Sequence, residues 1–153
     1  MAKIDGGLRQ IFRKHLRDVH WCTIESPLTE GGIPDTNFCA DGVEGWIECK
    51  KTEGWAVTLR PLQVGWLLRR SRAGGRALVA VRRRCPAGPR SPAADELWLL
   101  AGAAARELKA HGLPRTDGVR WRSPPWPPAT HLGRWAGGPR GWDWPAVRRV
   151  LTR

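Results

Sequence analysis

The sequence predicts an α/β fold, a mixed sheet of four to five strands flanked by helices. Three observations carry that prediction. Residues 45–50, Gly-Trp-Ile-Glu-Cys-Lys, alternate between apolar and polar side chains, as a half-buried strand does. Leu8, Ile11, Phe12, His15 and Val19 recur at helical spacing. A helical stretch at 61–72 separates the strand at 45–51 from an apolar strand at 76–81. A strand–helix–strand unit of this kind makes its two strands parallel.

In chain order, Asp5 with Gly6-Gly7 opens a first helix running to about residue 18. Its apolar stripe is core. Arg9, Arg13 and Arg17, each four residues apart, form a second row that either grips phosphates or is simply a wet face. Residues 21–25 read as the first strand and 35–40 as the second. Asp41-Gly42 is a hairpin signal that pairs the second strand antiparallel with the third, at 45–51. Residues 56–58 are short and extended. Pro61 suits the first turn of the next helix, with Thr58 the nearest capping side chain, and Gly74-Gly75 stops it.

The strand at 76–81 is apolar enough to be central, and Arg82, Arg83 and Arg84 emerge from its end, adding to Arg69 and Arg70 of the preceding helix as candidate duplex contacts. A Pro- and Gly-rich loop covers 85–94, a fifth strand 96–100 and an Ala-rich helix 101–111. Residues 116–141 are rich in Trp, Pro, Gly and Arg, with little periodicity, and read as a wrapping arm or a tail. Trp121, Trp126 and Trp135 there either stack on bases or patch a small core. Asp143 caps a final helix with Trp144, Val147 and Leu151 on its apolar side.

At 153 residues the chain is one domain, or one domain with a tail: a core at 1–84 and an extension at 85–153 packed on it. Lys and Arg number 26 against 14 Asp and Glu, a net charge of +12. That balance favours polyanions, nucleic acid first. No apolar run approaches the roughly 18 residues a membrane span needs, and no leader is visible, so a cytoplasmic protein without a membrane partner is expected. The four cysteines, Cys22, Cys39, Cys49 and Cys85, form no C-x-x-C pair, which argues against zinc. No phosphate loop ending in Lys-Ser/Thr and no Ser-His-Asp or Cys-His spacing is present.

The chemistry concentrates between residues 31 and 51. On a strand, Glu48 and Lys50 point one way and Ile47 and Cys49 the other. Same-face neighbours lie roughly 7 Å apart, so a carboxylate can hold a cation while the ammonium reaches a substrate beside it. Asp35 joins them if its segment pairs antiparallel with the strand of Glu48. A divalent cation with oxygen ligands uses two carboxylates and often a backbone carbonyl. Taken alone, Glu-x-Lys on a strand reads as a solvated same-face pair, and Asp35 as a turn cap.

Pro34-Asp35 followed by Glu48-Cys49-Lys50 resembles the PD-(D/E)XK nuclease signature. Gln63 and Trp66, then Gly74-Gly75, then Val81-Arg82-Arg83 follow in the order of the VRR-NUC branch. The resemblance covers about residues 7–84. It implies a restriction-endonuclease-like core of order αβββαβ, with the C-terminal residues as an extension. It also implies a Mg²⁺-dependent endodeoxyribonuclease, with Mn²⁺ able to substitute, that leaves a 5′-phosphate. Asp35, Glu48 and the Cys49 carbonyl would hold the metal, Lys50 would position the attacking water, and Gln63 would face the centre. Relatives commonly supply a further acid from the first helix; here that helix has only Asp5 and Asp18 at its ends, so Glu25, and after it Glu30, is the expected substitute. Arg9, Arg13, Arg17, Lys51, Arg69, Arg70, Arg82 and Arg83 are the expected DNA contacts.

A short stand-alone member implies a branched or junction DNA substrate (as for a Holliday junction resolvase), a homodimer, and a phage-encoded protein at work in the bacterial cytoplasm. The alternatives are a non-catalytic basic nucleic-acid-binding protein, a sequence-specific nicking or restriction endonuclease, and an enzyme acting on RNA.

Overall fold

The structure, a computed structural model, describes residues 4–24, 31–90, 92–115 and 131–153. These form one open, mixed six-stranded sheet with four helices. The elements are α1 (Leu8–His15), β1 (His20–Thr23), β2 (Thr36–Ala40), β3 (Val43–Thr52), α2 (Pro61–Arg72), β4 (Ala77–Cys85), β5 (Ala94–Ala101), α3 (Ala105–His111), β6 (His131–Trp135) and α4 (Trp144–Thr152), with a 3₁₀ turn at Gly102–Ala104. The strands lie in the sheet in sequence order, and all neighbours are antiparallel except β3 and β4.

The β2–β3 hairpin turns on Asp41 and Gly42, at φ 52° and 75°. Two positive φ values in a two-residue loop give the turn whose twist matches paired strands. The parallel β3–α2–β4 unit agrees with the sequence expectation, and Glu48 sits beside Val79 and Lys50 beside Val81.

Several expectations need correction. The sheet has six strands rather than four to five, because residues 131–135 add β6 to the edge of β5 through an irregular register at Leu99/Leu100. Five residues with a glycine at the centre carry too weak an alternation to be seen in sequence. The first helix ends at His15 rather than near residue 18, and the first strand is His20–Thr23 rather than 21–25. β4 runs on to Cys85, so Arg82, Arg83 and Arg84 lie within the strand and do not emerge from its end.

Alternation divides the core between the two faces of the sheet. On one face, Phe38, Ile47, Cys49, Leu97 and Leu99 pack under α1 and α4 with Leu8, Phe12, Val147 and Leu151. On the other, Val79, Val81, Trp98 and Leu100 pack under α2 and α3 with Leu67 and Leu108. Burying each such aliphatic side chain contributes about 1.5–3 kcal/mol. Residues beyond 85 thus share both clusters with residues before it. Among the ten tryptophans, Trp135 and Trp144 pack against the first cluster, whereas Trp121 and Trp126 lie outside the described residues. His15 stacks on Trp144 at 4.4 Å. Asp143 caps α4 by accepting the Ala146 N–H at 2.9 Å. Among the described residues, no helix is long and apolar enough to cross a membrane.

Candidate active site

β2 ends opposite Ile47, but β3 continues to Thr52 along β4. From Glu48 onward β3 therefore has a strand partner on one side only. Glu48 and Lys50 sit in that fork, on the face covered by α2.

Glu48 is 3% exposed. Its Oε1 accepts from Lys50 Nζ at 3.0 Å and from Gln63 Nε2 at 2.6 Å. Lys50 Nζ also donates to Gln63 Oε1 at 3.1 Å, which closes a three-membered ring of contacts. Gln63 reaches this position from the first turn of α2. The expected Thr58 cap is not used. Arg60 precedes the helix, and Gln63 Oε1 turns back to accept the Arg60 backbone N–H at 3.0 Å. One side chain thereby satisfies a helix-start donor and holds both charged groups of the site.

Asp35 lies one residue before β2. Continuing the antiparallel register past Thr36–Ile47 brings it opposite Glu48. The segment leading to Asp35 rests on the start of α2. A Cβ on Gly32, whose φ is +92°, would stand 2.2 Å from the Leu62 carbonyl oxygen, so this approach requires glycine. Asp35 accepts the Thr36 hydroxyl at 3.0 Å. Burial pushes its carboxyl above the usual carboxylate value, against the pull of the Thr36 hydroxyl, Arg9 and Lys50. Burial also raises Glu48; Lys50 opposes that shift and the Asp35 charge adds to it. The negative charge of Asp35 disfavours ionisation of Glu48, as a nearby like charge does, and Lys50 offsets it only in part.

A third acid comes from a place the sequence reading passed over. Asp5, 5% exposed, accepts the Gly7 and Arg9 backbone N–H groups at 3.0 and 3.3 Å and Arg9 Nε at 3.0 Å. Burial opposes its ionisation, but these bonds outweigh it and hold the carboxyl below its usual value. Asp5 and Arg9 are close enough to Asp35 for each to shift its titration, Arg9 downward and Asp5 upward. The signal is an acid at the start of the first helix, where relatives of the resembled family commonly carry one, although the expected substitute is Glu25. Glu25 and Glu30, the expected substitutes, lie outside the described residues.

Cys49 points to the other face and is buried among the α1–α4 contacts, with its thiol pushed well up by burial. Only its main chain is available to the fork. Among the described residues, no three His, Cys, Asp or Glu side chains converge to hold a metal. Glu48 Oε2, however, is buried with no hydrogen-bond partner. An orphaned carboxylate oxygen near the half-buried Asp35 carboxylate is an all-oxygen donor set. It fits a hard cation such as Mg²⁺, which binds through one or two carboxylates and keeps several waters.

The expected DNA contacts divide. Arg82 is used internally: it donates to Asp95 at 2.8 and 2.6 Å and to the Gly6 carbonyl at 2.8 Å. Arg83 donates to the Gly54 carbonyl and to Glu96, and lies 3.9 Å over the Trp55 ring. Arg134 and the Trp98 indole complete the shell of Glu96. Arg9 turns inward to Asp5. These three expected contacts therefore each have a partner within the protein. Arg13 and Arg17 are exposed, bonded to the Thr23 hydroxyl and the Lys14 carbonyl. Lys51, Arg69 and Arg70 are exposed, and the Arg70 guanidinium covers Trp46 and Trp66 at 5.9 and 5.5 Å.

Fold and site together define an α/β protein whose sheet fork holds a buried and a half-buried acid, a lysine and an amide. No protein-family model matches this chain, and no curated protein matches it.

Proposed function

We propose that this protein is a metal-dependent endonuclease with a restriction-endonuclease-like core, hydrolysing phosphodiester bonds in branched or junction DNA. The observation that carries the reading is the unpartnered Glu48 Oε2, buried next to Asp35 and within one contact of Lys50. Asp35, Glu48 and the Cys49 carbonyl would hold Mg²⁺, or Mn²⁺ in its place. Bound there, the metal supplies Lewis acidity to the phosphodiester and acidifies a water.

The chain's own residues do the rest. Lys50 orients the water and offsets charge developing on the phosphate oxygens. Gln63 is a positioning residue, since its amide oxygen sets the Lys50 ammonium and its nitrogen sets the Glu48 carboxylate. Asp5 and Arg9 set the field at Asp35 from the other side. Cutting both strands of a junction calls for two such centres, hence a homodimer.

The test incubates flap, four-way and linear DNA, and RNA in parallel, with Mg²⁺ or EDTA. Cleavage that needs Mg²⁺ and falls at least about 100-fold in Lys50→Ala, while that variant still binds, supports the reading; one general catalytic group contributes about that much. Tight binding with no cleavage by the parent protein selects the non-catalytic binder that the charge of +12 also suits. Cut sites clustering on one motif select a sequence-specific nicking or restriction enzyme, and cleavage confined to RNA removes DNA as substrate.

A further inference from the structure

We infer that a second site, a phosphate-binding cleft, lies on the face of β3 opposite the acid–lysine cluster. Lys50 and Lys51 are consecutive strand residues, so their side chains leave the sheet on opposite sides. Lys51 passes under the start of α1, where a Cβ on Gly6 would lie 3.1 Å from its own. Between them opens a cavity of about 350 Å³, lined by Gly6, Gly7, Lys51, Glu53, Arg82 and Arg84 among others. Glu53 and Arg84 also line a second cavity of about 630 Å³ that runs on past Cys85 to Gly137. The two form one groove across the ends of β3 and β4.

The cations in the first cavity have different duties. Arg82 is locked by the Asp95 carboxylate and the Gly6 carbonyl, so it builds the wall and its charge is answered. The Lys51 ammonium makes no hydrogen bond or ion pair among the described residues. Arg84 is 73% exposed, with Asp95 no nearer than 4.0 Å. These two cations flank a cavity large enough for a phosphate and its sugar. Glu53 makes the balance slight, so a ligand that engages both cations at once is favoured over a lone carboxylate. A phosphate, with several acceptor oxygens, does that. Lys50 and Lys51 face apart, so a duplex lying across the ends of β3 and β4 would meet each on a different side of the sheet. The link to catalysis rests on the nuclease reading; the cleft as a phosphate site does not.

The experiment measures binding of a labelled duplex in EDTA over a range of salt, for the parent, the Lys51→Ala/Arg84→Ala pair, and an Arg106→Ala/Arg149→Ala pair that removes the same charge elsewhere. The expected result is a log K against log salt slope shallower by about 0.9 in the cleft pair, the amount for the one phosphate that both cations engage, with less than half that change in the control. Strands with a 5′-phosphate and a 5′-hydroxyl distinguish the source: a loss confined to the former assigns a terminal phosphate, and an equal loss assigns an internal one. An unchanged slope, or an equal change in the control pair, overturns the cleft. If the parent cleaves with Mg²⁺ while the slope stays unchanged, the cleft alone fails; if the slope changes without cleavage by the parent, the nuclease reading alone fails.

Discussion

Replacing Gln63 by Leu removes the side chain that joins α2 to the acid–lysine pair. Three hydrogen bonds go with it: from the Arg60 N–H at 3.0 Å, from Lys50 at 3.1 Å and to Glu48 at 2.6 Å. A neutral bond is worth about 1 kcal/mol and a bond to a charged group about 1.5–3, so the loss is about 4–7 kcal/mol if nothing relaxes. Two effects reduce it. Lys50 still holds Glu48 at 3.0 Å and remains partly wet, so water recovers part of its bonding. Leucine at a position only 4% exposed also returns about 1.5–3 kcal/mol of apolar burial. The net expectation is a loss of about 2–4 kcal/mol, a fall in Tm of roughly 5–15 °C for a domain of this size. Urea and thermal melts followed by tryptophan fluorescence measure it. Gln63→Glu adds a sign test, because a third carboxylate beside Glu48 costs more than Leu at neutral pH and its cost shrinks as the pH falls and the new group protonates. A Gln63→Leu protein that melts with the parent refutes the reasoning, since the three bonds would then not be made.

The other substitutions probe the same fork. Asp35 has its folded carboxyl raised by burial, so the native state holds that proton more tightly than the unfolded chain does. Its favourable contribution is present below the unfolded value and is lost as pH rises through the folded one, leaving a strained, ionised group at neutral pH. Asp35→Asn is therefore expected to melt above the parent at pH 7 in EDTA, with the gap closing below about pH 4, and to lose any stabilisation that Mg²⁺ gives the parent; a lower melting point at pH 7 would contradict the sign. Gly32→Ala places a Cβ 2.2 Å from the Leu62 carbonyl at a positive φ, and a loss of about 2 kcal/mol or more is expected in denaturant melts.

Parts of this architecture were legible because they follow from local rules. Period-two alternation put Glu48 and Lys50 on one face of β3 before any contact was known. Asp41-Gly42 announced the hairpin that carries Asp35 toward Glu48, and Pro61 and Gly74-Gly75 bracketed α2 between two parallel strands. β6 was not legible, because its short run holds its place through pairing with β5 rather than through a pattern of its own. Asp5 was in view as a helix opener, yet its proximity to Asp35 depends on how α1 crosses the sheet.

By itself, the sequence determined most of the elements that form, which residues of β3 share a face, and that the chain is strongly basic. All of these depend on neighbours a few positions apart or on composition. Only the tertiary structure decided which cations are spent. Arg82 and Arg83 are answered within the protein because Asp95 and Glu96 face them, while Lys51 and Arg84 are left open to solvent. A charge is assigned its partner by three-dimensional distance, and for Arg82 and Asp95 that partner lies across two paired strands rather than along the chain.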